Sequence, residues 1–192
     1  MEIKECVKIY DEVMPLNILS NLIRILNKVK FEDAGIIGNN KDSGKINKNI
    51  RKTKNFNFTF MQDHSLTITH WHNLLHNIFN NFVLKFKEDL KLKELPLQKI
   101  NDIIGLKYEN TGFYTWHTDH HGLFPRTLSC ILLLNNDYEG GNLCFRNPDG
   151  SGEWEVEVKP NRLIIWPSNF MFPHSVKPVT KGVRYSIVAW FV

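Results

Sequence analysis

The sequence of 192 residues contains little cysteine and no long hydrophobic run. The three cysteines, Cys6, Cys130 and Cys144, are odd in number and widely spaced, which argues against a disulfide framework, a zinc knuckle and a redox pair. No stretch approaches the roughly 20 apolar residues needed to span a bilayer, and the first residues lack the apolar core of a signal peptide. We therefore expect a cytoplasmic protein with no membrane partner.

The sequence also lacks a strong excess of either charge. Its formal net charge is +4, from 24 basic and 20 acidic residues. Nucleic-acid-binding proteins usually concentrate basic residues in one patch, so a nucleic acid is not the expected partner. A hydrophobic fraction of 42% and an aromatic fraction of 12% are typical of a folded globular protein. The length predicts one domain over residues 1–192 with a sizeable core.

Residues 1–99 predict a support region of helices and a few strands. A short strand is expected near Ile9, and Pro15 is placed to open a helix. Phe56, Phe58 and Phe60 alternate with polar residues and predict a strand with one buried face. Ser65 predicts the N-cap of a long helix. The apolar positions of the two helices recur at helical spacing and predict packing against a sheet: Leu19, Leu22, Ile23 and Leu26 in the first, and Trp71, Leu74, Leu75, Ile78, Phe82 and Phe86 in the second.

Residues 38–55 form a polar segment that is rich in lysine and contains two glycines. This composition predicts a basic loop. Two interpretations remain open, a solvated loop and a flap that orders over an acidic substrate.

Residues 100–192 have a different texture, because short strand-like runs alternate with turn signals. This pattern predicts a sandwich, a barrel or a jelly roll, and the absence of helical stretches between the runs argues against a parallel α/β sheet. The predicted strands cover residues 103–108, 113–116, 128–134, 142–145, 154–158, 163–166 and 185–192.

His117 and Asp119 follow one of these strands and are two positions apart. Side chains at that spacing share a face of an extended segment. His174, 57 positions later, begins another strand region and can join them if the sheets fold back on each other. Two imidazoles and one carboxylate make the facial triad that holds non-haem Fe(II), whereas catalytic zinc more often takes three His or two His and a Glu.

Arg184 lies on the last predicted strand, ten positions after His174. A buried arginine needs an anionic partner, and its guanidinium group fits a carboxylate with two parallel hydrogen bonds. An organic diacid could therefore chelate iron at one end and meet Arg184 at the other.

The order and spacing of these residues resemble the prolyl 4-hydroxylase-like branch of the Fe(II)- and 2-oxoglutarate-dependent oxygenases. The resemblance covers residues 100–192 and implies a double-stranded β-helix, a jelly roll buttressed by the N-terminal helices. The matching stretches are Tyr108, residues 112–119, residues 126–129, Leu134-Asn135, residues 139–143, residues 174–179, residues 182–187 and Trp190.

The resemblance implies roles for residues at the matching positions. His117, Asp119 and His174 would bind iron, and Arg184 would bind the distal carboxylate of 2-oxoglutarate. Tyr108 and Trp190 would line the cosubstrate pocket, and Tyr114 and Arg126 would contact the substrate. One position departs from the family pattern, because Leu133 stands where some members have a tyrosine that helps to hold the cosubstrate. This departure predicts that Ser129 or another hydroxyl supports Arg184.

The resemblance implies hydroxylation of an unactivated C–H bond with release of succinate and carbon dioxide. Fe(II), 2-oxoglutarate and O2 are the implied cofactors, with ascorbate as a candidate reductant. The first substrate to consider is a peptidyl proline in a peptide or protein. Asp119 favours hydroxylation, since related halogenases lack this carboxylate. Two alternatives remain: the same chemistry on a free amino acid, small metabolite or nucleic-acid base, and a cupin-like ligand-binding module without turnover.

Overall fold

The fold is built from strands in the C-terminal half and helices in the N-terminal half. A computed structural model describes residues 2–36, 44–61, 65–96, 99–123 and 125–192. After a 3-10 turn at Ile3–Cys6, the helices in these ranges are α1 (Leu16–Leu26), α2 (Phe58–Met61) and α3 (Leu66–Asp89). The strands are β1 (Lys8–Tyr10), β2 (Glu32–Asp33), β3 (Arg51–Lys52), β4 (Lys54–Asn57), β5 (Ile100–Glu109), β6 (Phe113–His117), β7 (Leu128–Leu133), β8 (Glu139–Gly140), β9 (Leu143–Phe145), β10 (Trp154–Glu155), β11 (Arg162–Pro167), β12 (His174–Val176), β13 (Val179–Lys181) and β14 (Val183–Phe191).

Two antiparallel sheets form the core. Within the described residues, the larger has the strand order β1-β11-β7-β14-β5-β4-β2 and the smaller the order β10-β9-β12-β6-β3. Strands β8 and β13 pair as a separate ribbon. Side chains from the inner faces of both sheets pack into one apolar cluster, including Leu106, Val188, Phe145 and Val176. This arrangement is the predicted jelly roll, and the fold class is confirmed.

The long strand β14 contributes alternate side chains to the two faces of the large sheet. Its odd-numbered residues Tyr185, Ile187, Ala189 and Phe191 belong to the cluster that includes the helices. Val188 and Trp190 alternate with them and belong to the cluster between the sheets. The outer face therefore anchors the helical support, and the inner face is available to line a site.

The helices α1 and α3 cover the outer face of the large sheet, as predicted. Helix α1 buries Leu19, Leu22 and Leu26, and Pro15 stands at its N-cap. Helix α3 buries Ile68, Trp71, Leu75, Phe79, Val83 and Phe86. The predicted stripe of α3 is confirmed: Trp71, Leu75 and Phe86 are buried, and Leu74, Ile78 and Phe82 are partly buried and pack against the same cluster. Ser65 precedes the helix without capping it through its side chain.

The predicted strand through Phe56, Phe58 and Phe60 is wrong beyond Asn57. The side-chain oxygen of Asn57 accepts hydrogen bonds from the backbone N–H groups of Thr59 at 2.9 Å and Phe60 at 3.1 Å. This cap starts helix α2 and turns the chain. Phe58 remains fully buried, whereas Phe60 is 73% exposed.

The predicted basic loop over residues 38–55 is shorter than expected. Its end forms strands β3 and β4, of which β3 pairs with β6 and β4 with β5. Residues 37–43 lie outside the described residues, so the flap interpretation stays a prediction. None of the helices in the described parts of the chain is long and apolar enough to cross a membrane.

We predict that Phe79→Ala lowers the free energy of unfolding by about 3–5 kcal/mol, because it leaves a cavity between α3 and the sheet. Phe79 is fully buried, whereas Leu84 on the same helix is 43% exposed. Leu84→Ala is therefore the matched control, with an expected change below about 0.5 kcal/mol. Urea unfolding followed by circular dichroism measures both. Equal losses would show that α3 does not pack as described.

Candidate metal and cosubstrate site

The three predicted metal ligands meet at the junction of two paired strands. His117 ends β6, Asp119 follows it, and His174 begins β12 directly opposite His117. The Nε2 atoms of His174 and His117 lie 3.4 Å and 3.7 Å from the two Asp119 carboxylate oxygens. One ligand atom from each residue lies within 4.8 Å of the others. In the part of the chain that the structure describes, this is the one such cluster of three potential metal-binding side chains.

Backbone hydrogen bonds orient both imidazoles for metal binding. The Nδ1 atom of His117 lies 2.8 Å from the Thr115 carbonyl oxygen, and that of His174 lies 3.1 Å from the Phe172 carbonyl oxygen. A carbonyl only accepts hydrogen bonds, so each Nδ1 must carry the proton and donate it. The Nε2 atoms then keep free lone pairs that face Asp119, as in most histidine metal sites.

The charge states of the ligands also suit a cation. Burial, together with the neighbouring His174, lowers the pKa of His117 to about 3, so its imidazole is neutral at physiological pH. Burial alone would raise the pKa of Asp119. The two imidazoles and Arg126 outweigh that effect and hold this pKa well below its ordinary value. The site therefore presents a neutral His117 imidazole and the Asp119 carboxylate.

Ser129 orients the carboxylate ligand rather than supporting Arg184. Its hydroxyl donates to Asp119 Oδ2 at 2.7 Å and lies 2.7 Å from the Ser168 hydroxyl. The register of β7 explains the difference, since Ser129 lies opposite Trp190 and Leu133 lies opposite Ser186. Ser129 is thus at the metal end of the strand, and its predicted role beside Arg184 is corrected.

Aromatic rings hold the two predicted substrate residues close to the metal ligands. The Tyr114 ring stacks on the His117 imidazole with 3.6 Å between centroids. The Arg126 guanidinium lies 3.7 Å from the Trp190 ring centroid, and its Nη1 atom lies 3.8 Å from Asp119 Oδ1. A cation over an aromatic face is attracted by the ring quadrupole. Arg126 is therefore placed where it can contact a molecule bound at the metal.

These side chains surround an active cavity of about 370 Å³ between the two sheets. That volume lies within the roughly 300–1,000 Å³ of sites that hold small molecules. The active cavity is lined by all three metal ligands and by the predicted site residues Tyr108, Tyr114, Arg126 and Trp190.

Arg184 adjoins the active cavity through Tyr108, whose ring centroid is 5.0 Å from the guanidinium carbon. Arg184 is fully buried, and only Nη1 has a partner, the Ser186 hydroxyl at 2.9 Å. Its Nε and Nη2 atoms have no hydrogen-bond partner. A buried guanidinium group with two unpaired nitrogens is costly unless an anion accepts from them. The orphaned atoms fit a carboxylate ligand.

Tyr138 is a residue of this region that the sequence analysis missed. Its hydroxyl is buried without a partner. A side chain at Gly141 would meet both Arg184 Cδ at 3.0 Å and Tyr138 Cε2 at 3.2 Å, so both residues pack over this glycine. Burial raises the pKa of Tyr138 and keeps its hydroxyl protonated. Tyr138 follows the Leu134-Asn135 motif by a few positions, and that proximity was the signal available in the sequence.

Comparison with known proteins agrees with this geometry. A family model for the 2OG-Fe(II) oxygenase superfamily matches residues 104–192. A PKHD-type hydroxylase of Aliarcobacter butzleri is 31% identical over 189 residues, which cover 93% of this chain and 75% of that protein. The chain belongs to the 2-oxoglutarate- and Fe(II)-dependent oxygenase superfamily, in its prolyl 4-hydroxylase-like branch. Other curated PKHD-type relatives are matched over only 42 to 47% of their length.

Solved structures share the fold at low sequence identity. A Pseudomonas putida prolyl-4-hydroxylase superposes with a TM-score of 0.70 at 20% identity, over 97% of this chain and 92% of that one. A Trichoplax adhaerens prolyl hydroxylase in complex with a peptide fragment of hypoxia inducible factor gives a TM-score of 0.74 at 15% identity. That match covers 97% of this chain and 83% of the other. The N-terminal half, outside the family model, is therefore also part of the shared fold.

We predict that His174→Ala weakens Fe(II) or Mn(II) binding by more than about 100-fold, because it removes one of the three ligand atoms. Loss of a residue that only hydrogen-bonds to a metal ligand typically weakens binding by roughly 10–100-fold. Anaerobic calorimetric titration measures the affinity, and His72→Ala on α3 is the control because His72 lies outside the cluster. Unchanged affinity in His174→Ala would place the metal elsewhere.

Proposed function

We propose that the protein hydroxylates an unactivated C–H bond with Fe(II), 2-oxoglutarate and O2, and that the bond belongs to a peptidyl proline. With these groups bound, such a site couples oxidation of the C–H bond to conversion of 2-oxoglutarate into succinate and carbon dioxide. The observation that carries the proposal is a three-ligand cluster in the active cavity, together with a buried guanidinium group that has two unpaired nitrogens and lies against Tyr108 of the same cavity.

Each part of the site has a separate task in this proposal. His117, Asp119 and His174 hold the metal, and the stacked Tyr114 ring keeps the His117 imidazole in place. Ser129 keeps one carboxylate oxygen of Asp119 occupied by a hydrogen bond, which limits rotation of that ligand. The apolar walls, including Leu106, limit water access during the reaction.

Arg184 and Tyr138 bind the distal carboxylate of 2-oxoglutarate in this proposal. A carboxylate has two oxygens and about four acceptor sites, enough for Arg184 Nε, Arg184 Nη2 and the Tyr138 hydroxyl. Tyr138 would take the place of the tyrosine that Leu133 replaces. Ser186 holds the remaining guanidinium nitrogen at 2.9 Å and so fixes the direction in which the group points.

Several observations support a peptide substrate. The Trichoplax prolyl hydroxylase with a similar fold is described in complex with a peptide fragment. A Gallus gallus relative named prolyl 3-hydroxylase 1 is 42% identical over 67 residues, although these are only 9% of that protein. Arg126, held over the Trp190 ring, offers a hydrogen-bond donor to an extended chain, since its Nε atom has no partner. Tyr114 lines the same cavity.

Two alternatives are separated by one assay. The first is the same chemistry on a free amino acid, small metabolite or nucleic-acid base, and the second is a cupin-like module without turnover. The unpaired nitrogens of Arg184 disfavour the second, since a module without turnover has no need of a cosubstrate anchor. Succinate release from 2-oxoglutarate, in the presence of Fe(II), O2 and ascorbate, is measured across proline-containing peptides, free proline and oligonucleotides. We expect stimulation by the peptides and a mass gain of one oxygen atom on proline.

Stimulation by free proline or by the oligonucleotides alone would overturn the peptide assignment and keep the chemistry. No iron-dependent succinate with any probe would overturn the chemistry itself.

We predict that Arg184→Met abolishes the rise in melting temperature that 2-oxoglutarate causes in the metal-loaded protein. A ligand that binds only the folded state stabilises it in proportion to its affinity, and losing the partner of a bound charge typically costs about 2–5 kcal/mol. Tyr138→Phe should weaken 2-oxoglutarate binding by about tenfold, the loss of one hydrogen bond to a charged group. Differential scanning fluorimetry over a range of 2-oxoglutarate concentrations measures both effects.

Tyr185→Phe is the matched control for Tyr138→Phe. Tyr185 lies on the outer face of the large sheet, on the same strand as Arg184. The substitution removes its hydroxyl, which donates to Asn27 at 2.8 Å. The control should leave the 2-oxoglutarate affinity unchanged. Full affinity in Arg184→Met would refute the role of Arg184, and full affinity in Tyr138→Phe would refute that of Tyr138.

A further inference from the structure

A second cavity, of about 140 Å³, shares a lining residue with the active cavity, and five of its eleven lining residues are cations. Arg51 lines both cavities. We call the second one the basic cavity. Its charged lining consists of five cations and two carboxylates among the described residues: Lys48, Arg51, Lys52, Lys54 and Lys107, with Asp33 and Glu109. The charge of this lining is therefore +3.

Ion pairs do not neutralise this cavity. Lys54 and Lys107 share one carboxylate, that of Glu109, at 3.0 Å and 2.7 Å. Lys48 pairs with Asp33 at 2.9 Å. Among the described residues no carboxylate pairs with Lys52, whose ammonium group donates to the Thr111 hydroxyl at 2.8 Å and to the Asn110 carbonyl oxygen. The Lys52 ammonium group therefore has hydrogen-bond acceptors that are neutral, and no negative charge among the described residues balances its positive charge.

Arg51 extends the positive charge to the edge of the active cavity. Its Nη1 atom donates to the Gly35 carbonyl oxygen at 3.0 Å, and its guanidinium carbon lies 4.7 Å from the Tyr114 ring centroid. Its Nε atom is buried without a partner. Tyr114 in turn stacks on the metal ligand His117. A chain that passes from the metal over Tyr114 therefore meets Arg51 and then the basic cavity.

We propose that the basic cavity binds an acidic side chain of the polypeptide substrate, a few residues away from the residue that is hydroxylated. The proposal rests on the proposed function and names the substrate class more closely. Arg51 borders both cavities, and an extended chain advances about 3.3 Å per residue, so a short peptide can reach from one cavity to the other. An Asp or Glu carboxylate would pair with the Lys52 ammonium group, which has no carboxylate partner among the described residues, and would accept a hydrogen bond from the unpaired Nε of Arg51.

The lining favours an acidic side chain over a nucleic acid. The volume of about 140 Å³ is below the roughly 300–1,000 Å³ of sites that hold a whole small molecule, so it suits one side chain. The carboxylates of Asp33 and Glu109 stand between the lysines. A phosphate backbone repeats its negative charge along its length, and these two carboxylates would repel it. A single carboxylate needs only the Lys52 ammonium group and the Arg51 Nε atom as partners.

The binding probes are two fluorescein-labelled peptides with one central proline, one flanked by two glutamates on each side and one by two glutamines. Fluorescence anisotropy measures their binding to the protein loaded with Fe(II) and 2-oxoglutarate under nitrogen. We expect the glutamate peptide to bind about fivefold to tenfold more tightly in 50 mM NaCl. The difference should shrink in 500 mM NaCl, because salt screens exposed charges.

The variant pair is Lys48→Gln/Lys52→Gln, which removes two charges and keeps hydrogen-bond donors. It should lose the preference for the glutamate peptide and leave binding of the glutamine peptide unchanged. Lys8→Gln/Lys85→Gln is the charge-matched control. Lys8 lies on β1, and Lys85 lies over the Tyr10 ring of the same strand. Both are therefore at the edge of the large sheet opposite β4 and β2. The control should keep the full preference.

Two further variants test whether the charge of Lys52, rather than its structural contacts, causes the preference. Lys52→Arg retains the charge and should retain the preference, which separates charge from the structural contact to Thr111. Lys52→Glu should abolish the preference for the glutamate peptide, because it lowers the charge of the lining from +3 to +1. Circular dichroism and the 2-oxoglutarate-dependent rise in melting temperature show that each variant is folded and loaded.

The outcomes separate this proposal from the proposed function. Equal binding of the glutamate and glutamine peptides to the unmodified protein, with iron-dependent succinate formed from proline peptides, would overturn the acidic-substrate inference alone. If a single-stranded 12-mer oligonucleotide binds through Lys48 and Lys52 more tightly than the glutamate peptide does, the basic cavity is a nucleic-acid surface and the proposal is wrong. Absence of succinate with every probe, while the peptide preference persists, would instead count against the proposed function.

Discussion

The site depends on the antiparallel pairing of β12 with β6, which sets His174 directly opposite His117. The residues are distant in the chain, and only this register brings their Nε2 atoms to the same carboxylate. Backbone carbonyls then bind both Nδ1 atoms, so the local chain path decides which nitrogen faces the metal. A slip of one residue would move one imidazole to the opposite face of the sheet.

The same alternation rule divides the rest of the molecule. On β14, Ile187 and Phe191 pack under the helices while Val188 and Trp190 face the second sheet. Arg184 and Ser186 lie on the same inner face of β14 as Val188 and Trp190, which explains why the Arg184 guanidinium group is fully buried. Helix α3 thus supports the site indirectly, because it covers the outer face and leaves the inner face for ligands.

Much of this was predictable from the sequence, because the metal ligands and Arg184 occur in a linear pattern with characteristic neighbours. The contacts that depend on strand register could not be predicted from the sequence. Ser129 or another hydroxyl was expected beside Arg184, and the hydroxyl found there is that of Ser186. Ser129 lies opposite Trp190 and contacts Asp119 instead. Tyr138 was missed because its position depends on the close packing allowed by Gly141. Phe60 followed an alternating pattern, yet the Asn57 side chain ended the strand before it.

The most direct test of the account is a crystal structure of the protein with Mn(II) in place of Fe(II) and with 2-oxoglutarate. Mn(II) accepts the same nitrogen and oxygen ligands without supporting turnover. We expect one metal ion bound by His117, Asp119 and His174, and the distal carboxylate of 2-oxoglutarate on the free nitrogens of Arg184. Electron density for the metal at another group of residues, or for the diacid away from Arg184, would contradict the account.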